Sequence, residues 1–156
     1  MSKHYTNQEV KQKIERFCAY QERCHQEVIQ KMRSMAIDSI IIDEVVVHLI
    51  QNNFLNEQRF ACSFARGKHR IKYWGNIRII NELKARNVSQ NIINIALKEI
   101  TSEEYYFTFH TMSDRHWENI HEKNVLKKRK KFCDFMLRKG YESNLIYDKV
   151  IQLEKD

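Results

Sequence analysis

Apolar side chains recur every three or four residues along most of the chain, which is the spacing of one face of an α-helix. The clearest example follows Asn56, which can cap a helix that carries Phe60 and Phe64 on one face. Gly67 interrupts this helix, residues 73–75 (Tyr-Trp-Gly) close it, and a second amphipathic helix follows. The stretch therefore predicts two helices joined by a basic, aromatic hinge.

Helix-start and helix-stop residues predict seven further helices. Thr6 and Glu9 have the spacing of a capping box and start the first of them. Gly140 is a natural stop for a helix over Val125–Lys139. The others are predicted near His25–Ala36, after a cap at Asp38 or Ser39, after Ser89, over Ser102–His121 and after a cap at Ser143.

Composition favours an all-α fold. The chain has no proline, three glycines and 42% hydrophobic residues, which is unlike a turn-rich β protein. The β-branched residues between positions 40 and 47 could instead form a strand. Asp43 and Glu44 would spoil a continuous buried strand, so a helix is the favoured interpretation there.

One local pattern occurs three times. Met32, Leu83 and Met136 are each followed five residues later by another apolar residue, and then by a serine that can cap the next helix. The intervals between the copies are 51 and 53 residues, which suits a helical repeat array. The pattern predicts three tandem three-helix units, over residues 1–52, 53–101 and 102–156. Units this small should stack on their neighbours to form an elongated, curved array.

The excess positive charge is confined to two short segments. The formal net charge is +7, while residues 66–86 alone carry +6 and residues 123–139 carry +7. Such segregation suggests a polyanion or an acidic protein as partner, although a solvated lysine-rich surface is the alternative. Aromatic rings near such a basic track could stack on bases. The candidate contact residues are Lys68, Arg70, Lys72, Arg78, Lys84, Arg86, Lys127, Lys128, Arg129, Lys130 and Lys131.

The sequence contains no recognisable catalytic, cofactor or metal motif. Three glycines cannot supply a glycine-rich phosphate loop, and the spacing of His110, His116 and His121 fits no zinc pattern. The four cysteines form no C-x-x-C pair and are expected to be buried free thiols in a reducing compartment. We therefore expect no enzyme activity, no cofactor and no metal.

The localisation expected from the sequence is cytoplasmic. The first ten residues lack the apolar core of a secretory signal. The most apolar run, over residues 37–50, is too short and too charged to span a membrane. We expect a monomer without membrane contact.

Three short strings carry a resemblance to a known family. Residues 54–61 read FLNEQRFA, residues 74–79 read WGNIRI, and Glu82-Leu83 follows. They resemble the RecX regulatory family, whose strings there are similar to Leu-Asn-Asp-Glu-Arg-Phe-Ala and Gly-x-x-Arg/Lys-Ile-x-x-x-Leu. The departures are Glu57 at the usual Asp and Gln58 at the usual Glu, and both keep the polarity of a helix start.

The resemblance implies a non-enzymatic modulator of the RecA recombinase. RecX-like proteins consist of tandem three-helix repeats, lie in the groove of the RecA–DNA filament, and inhibit its ATPase, strand-exchange and coprotease activities. The implied role is therefore regulation of DNA repair and the SOS response. Most matched positions look like fold determinants, and Arg78 is also a candidate contact. The fold determinants are Arg59, Phe60, Trp74, Gly75 and Leu83.

Two other functions are compatible with the sequence to different degrees. A helical protein could bind single- or double-stranded DNA directly, without RecA, through weak and salt-dependent phosphate contacts. A nuclease is disfavoured because the sequence has no carboxylate or metal-ligand cluster.

Overall fold

The computed structural model describes residues 4–156, and the regular secondary structure over that range is entirely α-helical. The all-α prediction is therefore confirmed, and the region between residues 40 and 47 is helical. The helices are α1 (Asn7–Tyr20), α2 (His25–Ser34), α3 (Ser39–Gln51), α4 (Glu57–Lys72), α5 (Asn76–Ala85), α6 (Gln90–Leu97), α7 (Ser102–Asn119), α8 (Val125–Lys139) and α9 (Ser143–Lys155).

Most predicted helix starts are confirmed by side-chain capping bonds. Thr6 and Glu9 form a reciprocal capping box at α1. Asp38, rather than Ser39, caps α3, because its carboxylate accepts a hydrogen bond from the amide of Ile40 at 2.9 Å. Asn56 and Ser89 cap α4 and α6 as expected.

Four sequence predictions about helix limits are wrong. Gly67 does not interrupt α4, because a single glycine lowers helix propensity by only about 1 kcal/mol and the helix has packing on both sides of it. Ser143 is the first residue of α9, and its N-cap is Glu142, which makes no side-chain capping bond. The helices α2 and α7 also end two residues before the predicted limits.

The nine helices of the described residues pack mainly in consecutive threes. The main contacts join α1, α2 and α3 to one another, α4 and α5 to α6, and α7 and α8 to α9. The described residues form two hydrophobic cores. One contains α1–α3 with Leu55, and the other is shared by α4–α9 with Cys24. The last six helices are thus joined by a continuous core.

One backbone turn recurs at the end of the second helix of each three. Ala36, Asn87 and Gly140 all have positive φ angles, of 59°, 60° and 98°. In each turn, the amide of the next residue donates to the carbonyl oxygen of a buried residue five positions earlier. The pairs are Ile37 with Met32, Val88 with Leu83, and Tyr141 with Met136. This is the hydrogen bond of a Schellman motif. The turns are separated by the intervals of the sequence repeat, and we therefore propose the three units 1–52, 53–101 and 102–156. Their elongated, curved arrangement stays a prediction.

Candidate functional site

The turn between α4 and α5 packs directly on the turn between α8 and α9. The amide of Gly75 donates to the carbonyl oxygen of Lys139 at 2.7 Å, and the amide of Ile77 donates to that of Gly140 at 2.9 Å. A Cβ on Gly75 would lie 2.4 Å from the Gly140 oxygen, and a Cβ on Gly140 would lie 2.3 Å from the Cβ of Arg78. Only glycine fits at both positions, so the two backbones meet without intervening side chains.

A buried polar network supports this junction. The hydroxyl of Tyr105 donates to the carboxylate of Glu142 at 2.9 Å and accepts from the amide of Asn76 at 3.0 Å. Burial and the negative charge of Glu142 raise the pKa of Tyr105 well above its usual range, so this hydroxyl remains protonated. The ring of Tyr105 stacks on buried His69, whose Nδ1 donates to the carbonyl oxygen of Trp74 at 2.9 Å. The network fixes the hinge between α4 and α5.

Trp74 lies between two cations at the surface of the junction. The guanidinium of Arg78 lies 4.2 Å from the Trp74 ring centroid, and the ammonium of Lys68 lies 5.0 Å from it. Phe64 contacts the same indole edge-on, with ring centroids 6.1 Å apart. The indole is half-buried and packs on the second core, which agrees with the hinge-packing role expected of it. Its exposed face is held in a positive electrostatic environment.

Four basic residues lie at or next to the two turns, and we call them the junction cluster: Lys72, Arg78, Arg138 and Lys139. Arg78 donates to the carbonyl oxygen of Arg138 at 3.1 Å, and Lys139 donates to that of Lys72 at 3.0 Å. Burial and the neighbouring charges of Arg78 and Lys72 lower the pKa of Lys139. None of the ion pairs within residues 4–156 includes a member of the cluster. The junction cluster is therefore an unneutralised patch of positive charge.

The other candidate contact residues of the first basic segment have different surroundings. Arg70 binds the carboxylate of Glu104 through Nε at 2.7 Å, and Arg86 binds that of Glu82 at 2.9 Å. Lys84 is exposed, and no ion pair of the described chain includes it. The negative partners reduce the net charge that Arg70 and Arg86 can offer to a polyanion.

The basic run 127–131 is largely neutralised within the third unit. Arg129 pairs with Glu154 at 2.7 Å, Lys130 with Asp134 at 2.9 Å and Lys131 with Glu122 at 3.3 Å. Lys128 lies 4.2 Å from the ring centroid of Trp117, and Lys127 is exposed. The run begins about 18 Å from the end of α8, since a helix rises about 1.5 Å per residue. Arg138 and Lys139, which follow it, are the part of this segment that lies at the junction.

The matched positions of the family strings hold the central helices in place. Arg59 reaches back to the first unit, where it binds Glu22 at 2.6 Å, and it also binds the backbone oxygens of Asn53 and Phe54, before α4, at 3.0 and 3.3 Å. Phe60 and Leu83 are buried in the second core, and Gly75 makes the close approach described above. The geometry of these residues agrees with a structural role.

Three further properties of residues 4–156 concern their metal-ligating groups, their cysteines and the hydropathy of their helices. Within residues 4–156, no group of three His, Cys, Asp or Glu side chains is placed to hold a metal ion. All four cysteines are buried free thiols, as predicted, and burial raises the pKa of Cys18 to about 11 and of Cys24 to about 12. No helix in the described part of the chain is long and apolar enough to cross a membrane.

Comparison with known proteins finds similarity to one family. Residues 56–97 match the family model described as "RecX, second three-helix domain". The chain is 25% identical over 130 residues to proteins named regulatory protein RecX from Bacillus cytotoxicus and Bacillus mycoides, covering 83% of this chain. It covers 48% of each of those proteins, so it spans about half the length of the curated relatives that it matches.

Solved structures show the same fold. The crystal structure of RecX from Lactobacillus salivarius superposes with a TM-score of 0.78 at 24% identity, over 94% of both chains. A second crystal structure, of a regulatory protein RecX, gives a TM-score of 0.74 at 16% identity, over 94% of this chain and 73% of the other. The resemblance to the RecX family is thereby confirmed: residues 56–97 match its second three-helix domain, and the chain shares the fold of the two RecX crystal structures.

Proposed function

We propose that this protein binds RecA–DNA filaments and inhibits their ATPase, strand-exchange and coprotease activities, and so modulates DNA repair and the SOS response. It acts by binding and not by catalysis, in the cytoplasm, as a monomer without cofactor, metal or membrane. The relatives are named regulatory proteins, which supports a regulatory role. The RecA partner comes from the RecX resemblance.

The observation that carries the proposal is the junction cluster. Its four basic residues come from two different units, and the glycine-to-glycine contact sets the relative positions of their backbones. A rigid, unneutralised cationic surface suits a filament that presents DNA phosphates and acidic protein groups. Lys68 extends the surface across Trp74, and exposed Lys84 and Lys127 can add long-range attraction. The paired cations of the run 127–131 can add contacts only by exchanging their carboxylate partners.

The second candidate function is direct binding of nucleic acid without RecA. The same cluster favours it, because phosphate contacts need only unpaired cations. The two functions differ in the stoichiometry at which they act. A filament regulator acts when it is scarce relative to DNA, whereas a competitor for DNA must cover the DNA first.

The experiment is a titration of this protein into preformed RecA filaments on single-stranded DNA, with ATP hydrolysis as the readout. We expect inhibition at a protein concentration far below that of the DNA sites, and no change when extra free DNA is added in moderate excess. Inhibition that appears only when the protein saturates the DNA would instead establish competition for DNA and overturn the filament-specific function.

A further inference from the structure

An open cavity of about 250 Å³ lies between the end of α4 and one face of α7. Its lining residues are Tyr73, Phe107, Thr108, Thr111, Met112 and Arg115. The Phe107 ring is 72% exposed, and that of Tyr73 is 45% exposed. Phe107, Thr111 and Arg115 follow one another at four-residue intervals, so they share one face of α7. The cavity is thus an aromatic surface with a cation at one end.

Tyr73 is held in a conformation that tyrosine rarely adopts. It ends α4 with φ 61° and ψ 33°, in the left-handed region. Its carbonyl oxygen accepts a hydrogen bond of 2.8 Å from the hydroxyl of Tyr141, and its amide donates to the carbonyl oxygen of His69 at 3.0 Å. Asparagine occupies two other left-handed positions, Asn53 and Asn87, at lower conformational cost. Packing alone does not account for a strained, exposed aromatic ring at this position.

The charged residue in the lining of the cavity is a cation, and further cations lie next to Tyr73. Arg115 lines it, and no ion pair of the described chain includes Arg115. The Nζ of Lys139 lies 3.0 Å from the carbonyl oxygen of Lys72, which directly precedes Tyr73. The acidic residues of α7 are Glu103, one turn before Phe107, Glu104, Asp114 and Glu118, one turn after Arg115. Arg70 binds Glu104, and Lys149 pairs with Asp114. The cavity therefore has a cation in its lining and adjoins the junction cluster at Tyr73.

We propose that this cavity binds a base of single-stranded nucleic acid, with Tyr73 and Phe107 contacting the base and Arg115, Lys72 and Lys139 contacting the adjacent phosphates. Flat aromatic rings beside a cationic groove are the combination by which proteins bind single strands without sequence preference. A duplex keeps its bases stacked, so the cavity discriminates in favour of single strands. This inference deepens the proposed function, on which it rests for its biological setting, because it names the nucleic-acid part of the partner.

The test measures binding without the recombinase, by fluorescence anisotropy of a labelled oligothymidylate. Phe107→Ala removes an exposed ring, and Tyr73→Asn removes the other ring while supplying a residue that tolerates the left-handed backbone. Each variant should bind about fivefold to a hundredfold more weakly than the parent, the range for loss of one stacking contact. Neither change removes a charge, so the salt dependence of binding should stay the same. Tyr147→Ala, which removes a half-exposed ring from α9, is the matched control and should bind like the parent.

An abasic oligonucleotide of the same length separates bases from phosphates. The parent should bind it more weakly than oligothymidylate, and the two cavity variants should bind both probes alike. Equal binding of both probes by the parent, or unchanged oligothymidylate binding by folded cavity variants, would overturn the proposal. Variants that lose RecA inhibition while keeping oligothymidylate binding would also overturn it, because the cavity would then contact protein. If the parent shows base-dependent binding but does not inhibit RecA, the proposed function fails and the cavity assignment stands.

Discussion

Gly75 and Gly140 are in backbone contact, although 65 positions separate them in the sequence. The contact joins the second and third units and places Arg78 beside Arg138. Ala36 and Asn87 adopt the same left-handed turn as Gly140 without being glycine. The need for glycine at position 140 therefore comes from the approach of Arg78, and not from the turn alone.

Replacing Gly75 should destabilise the protein, because an added Cβ would overlap the backbone of Gly140. Overpacking of this kind typically lowers the free energy of unfolding by about 1–3 kcal/mol. Gly75→Ala should therefore lower the midpoint of urea unfolding. Gly67→Ala is the control, since a Cβ there would meet nothing within 4 Å. A helix-interior glycine-to-alanine change should raise the free energy of unfolding by about 0.5–1 kcal/mol. Equal effects of the two changes would contradict the junction.

Trp74→Ala should destabilise the hinge between α4 and α5. The indole packs on Phe64 and lies between Lys68 and Arg78, but it is only half-buried. We expect a loss of about 3 kcal/mol, at the lower end of the range for truncation of a core aromatic. Thermal unfolding followed by circular dichroism measures it. A variant with unchanged stability and lost filament binding would make Trp74 a contact residue instead.

Stability should fall as the pH drops below about 6.5, because two histidines have lowered pKa values. Burial, with a smaller contribution from Arg138, lowers the pKa of His116, and burial and Lys149 lower that of His110. The unfolded chain then binds more protons than the folded chain from the ordinary histidine pKa of 6.5 down to the lowered values, and this favours unfolding.

His116→Phe separates this effect from acid denaturation by carboxylates. The substitution keeps a ring against Phe135, whose centroid lies 3.7 Å from that of His116, and it removes the titrating group. The free energy of unfolding should then depend less on pH between about 5 and 7.5, with His110 providing the remainder. Urea titrations across that range measure it, and parallel profiles for parent and variant would refute the assignment.

The cysteines should be unreactive in the folded protein. The thiolate is the reactive form, and burial raises the pKa of all four thiols, to about 11 for Cys18 and about 12 for Cys24. A thiol reagent such as Ellman's reagent should react slowly with the native protein and rapidly with four equivalents in denaturant. If any thiol reacted rapidly in the folded protein, the side chains that bury it would have to move away and expose it to solvent.

Helix-level features were readable from the sequence because their determinants are local. The Thr6–Glu9 capping box, the Asn56 and Ser89 caps and the Gly140 stop all act within one helical turn. The site was less readable, because its charges are set by partners distant in sequence. Arg129 and Glu154 are 25 residues apart, and Arg70 and Glu104 are 34 apart.

Two parts of the site had weak or no sequence signals. Arg138 and Lys139 directly precede Gly140, and they lie at the junction only because the backbone of this turn contacts Gly75. The left-handed backbone of Tyr73 has no sequence signal, because tyrosine is not a residue that favours it. A glycine following two aromatic residues was the available hint that the hinge packs against another backbone.

The central claim, that the junction cluster contacts the filament, is tested by two variants that each lose three positive charges. In the junction variant two of the three lie on α8, and in the control variant all three do. The junction variant is Lys72→Gln/Arg138→Gln/Lys139→Gln, and its control is Lys127→Gln/Lys128→Gln/Lys130→Gln. Lysine and arginine side chains at the surface contribute little to folding, and each variant includes one half-buried lysine, Lys139 or Lys128, so both should unfold near the same midpoint. The measurement is inhibition of the ATPase of RecA filaments over a salt series. The junction variant should inhibit far more weakly and with a flatter salt dependence than the control, which should stay close to the parent. Equal inhibition by the two variants, or a larger loss in the control, would contradict the account.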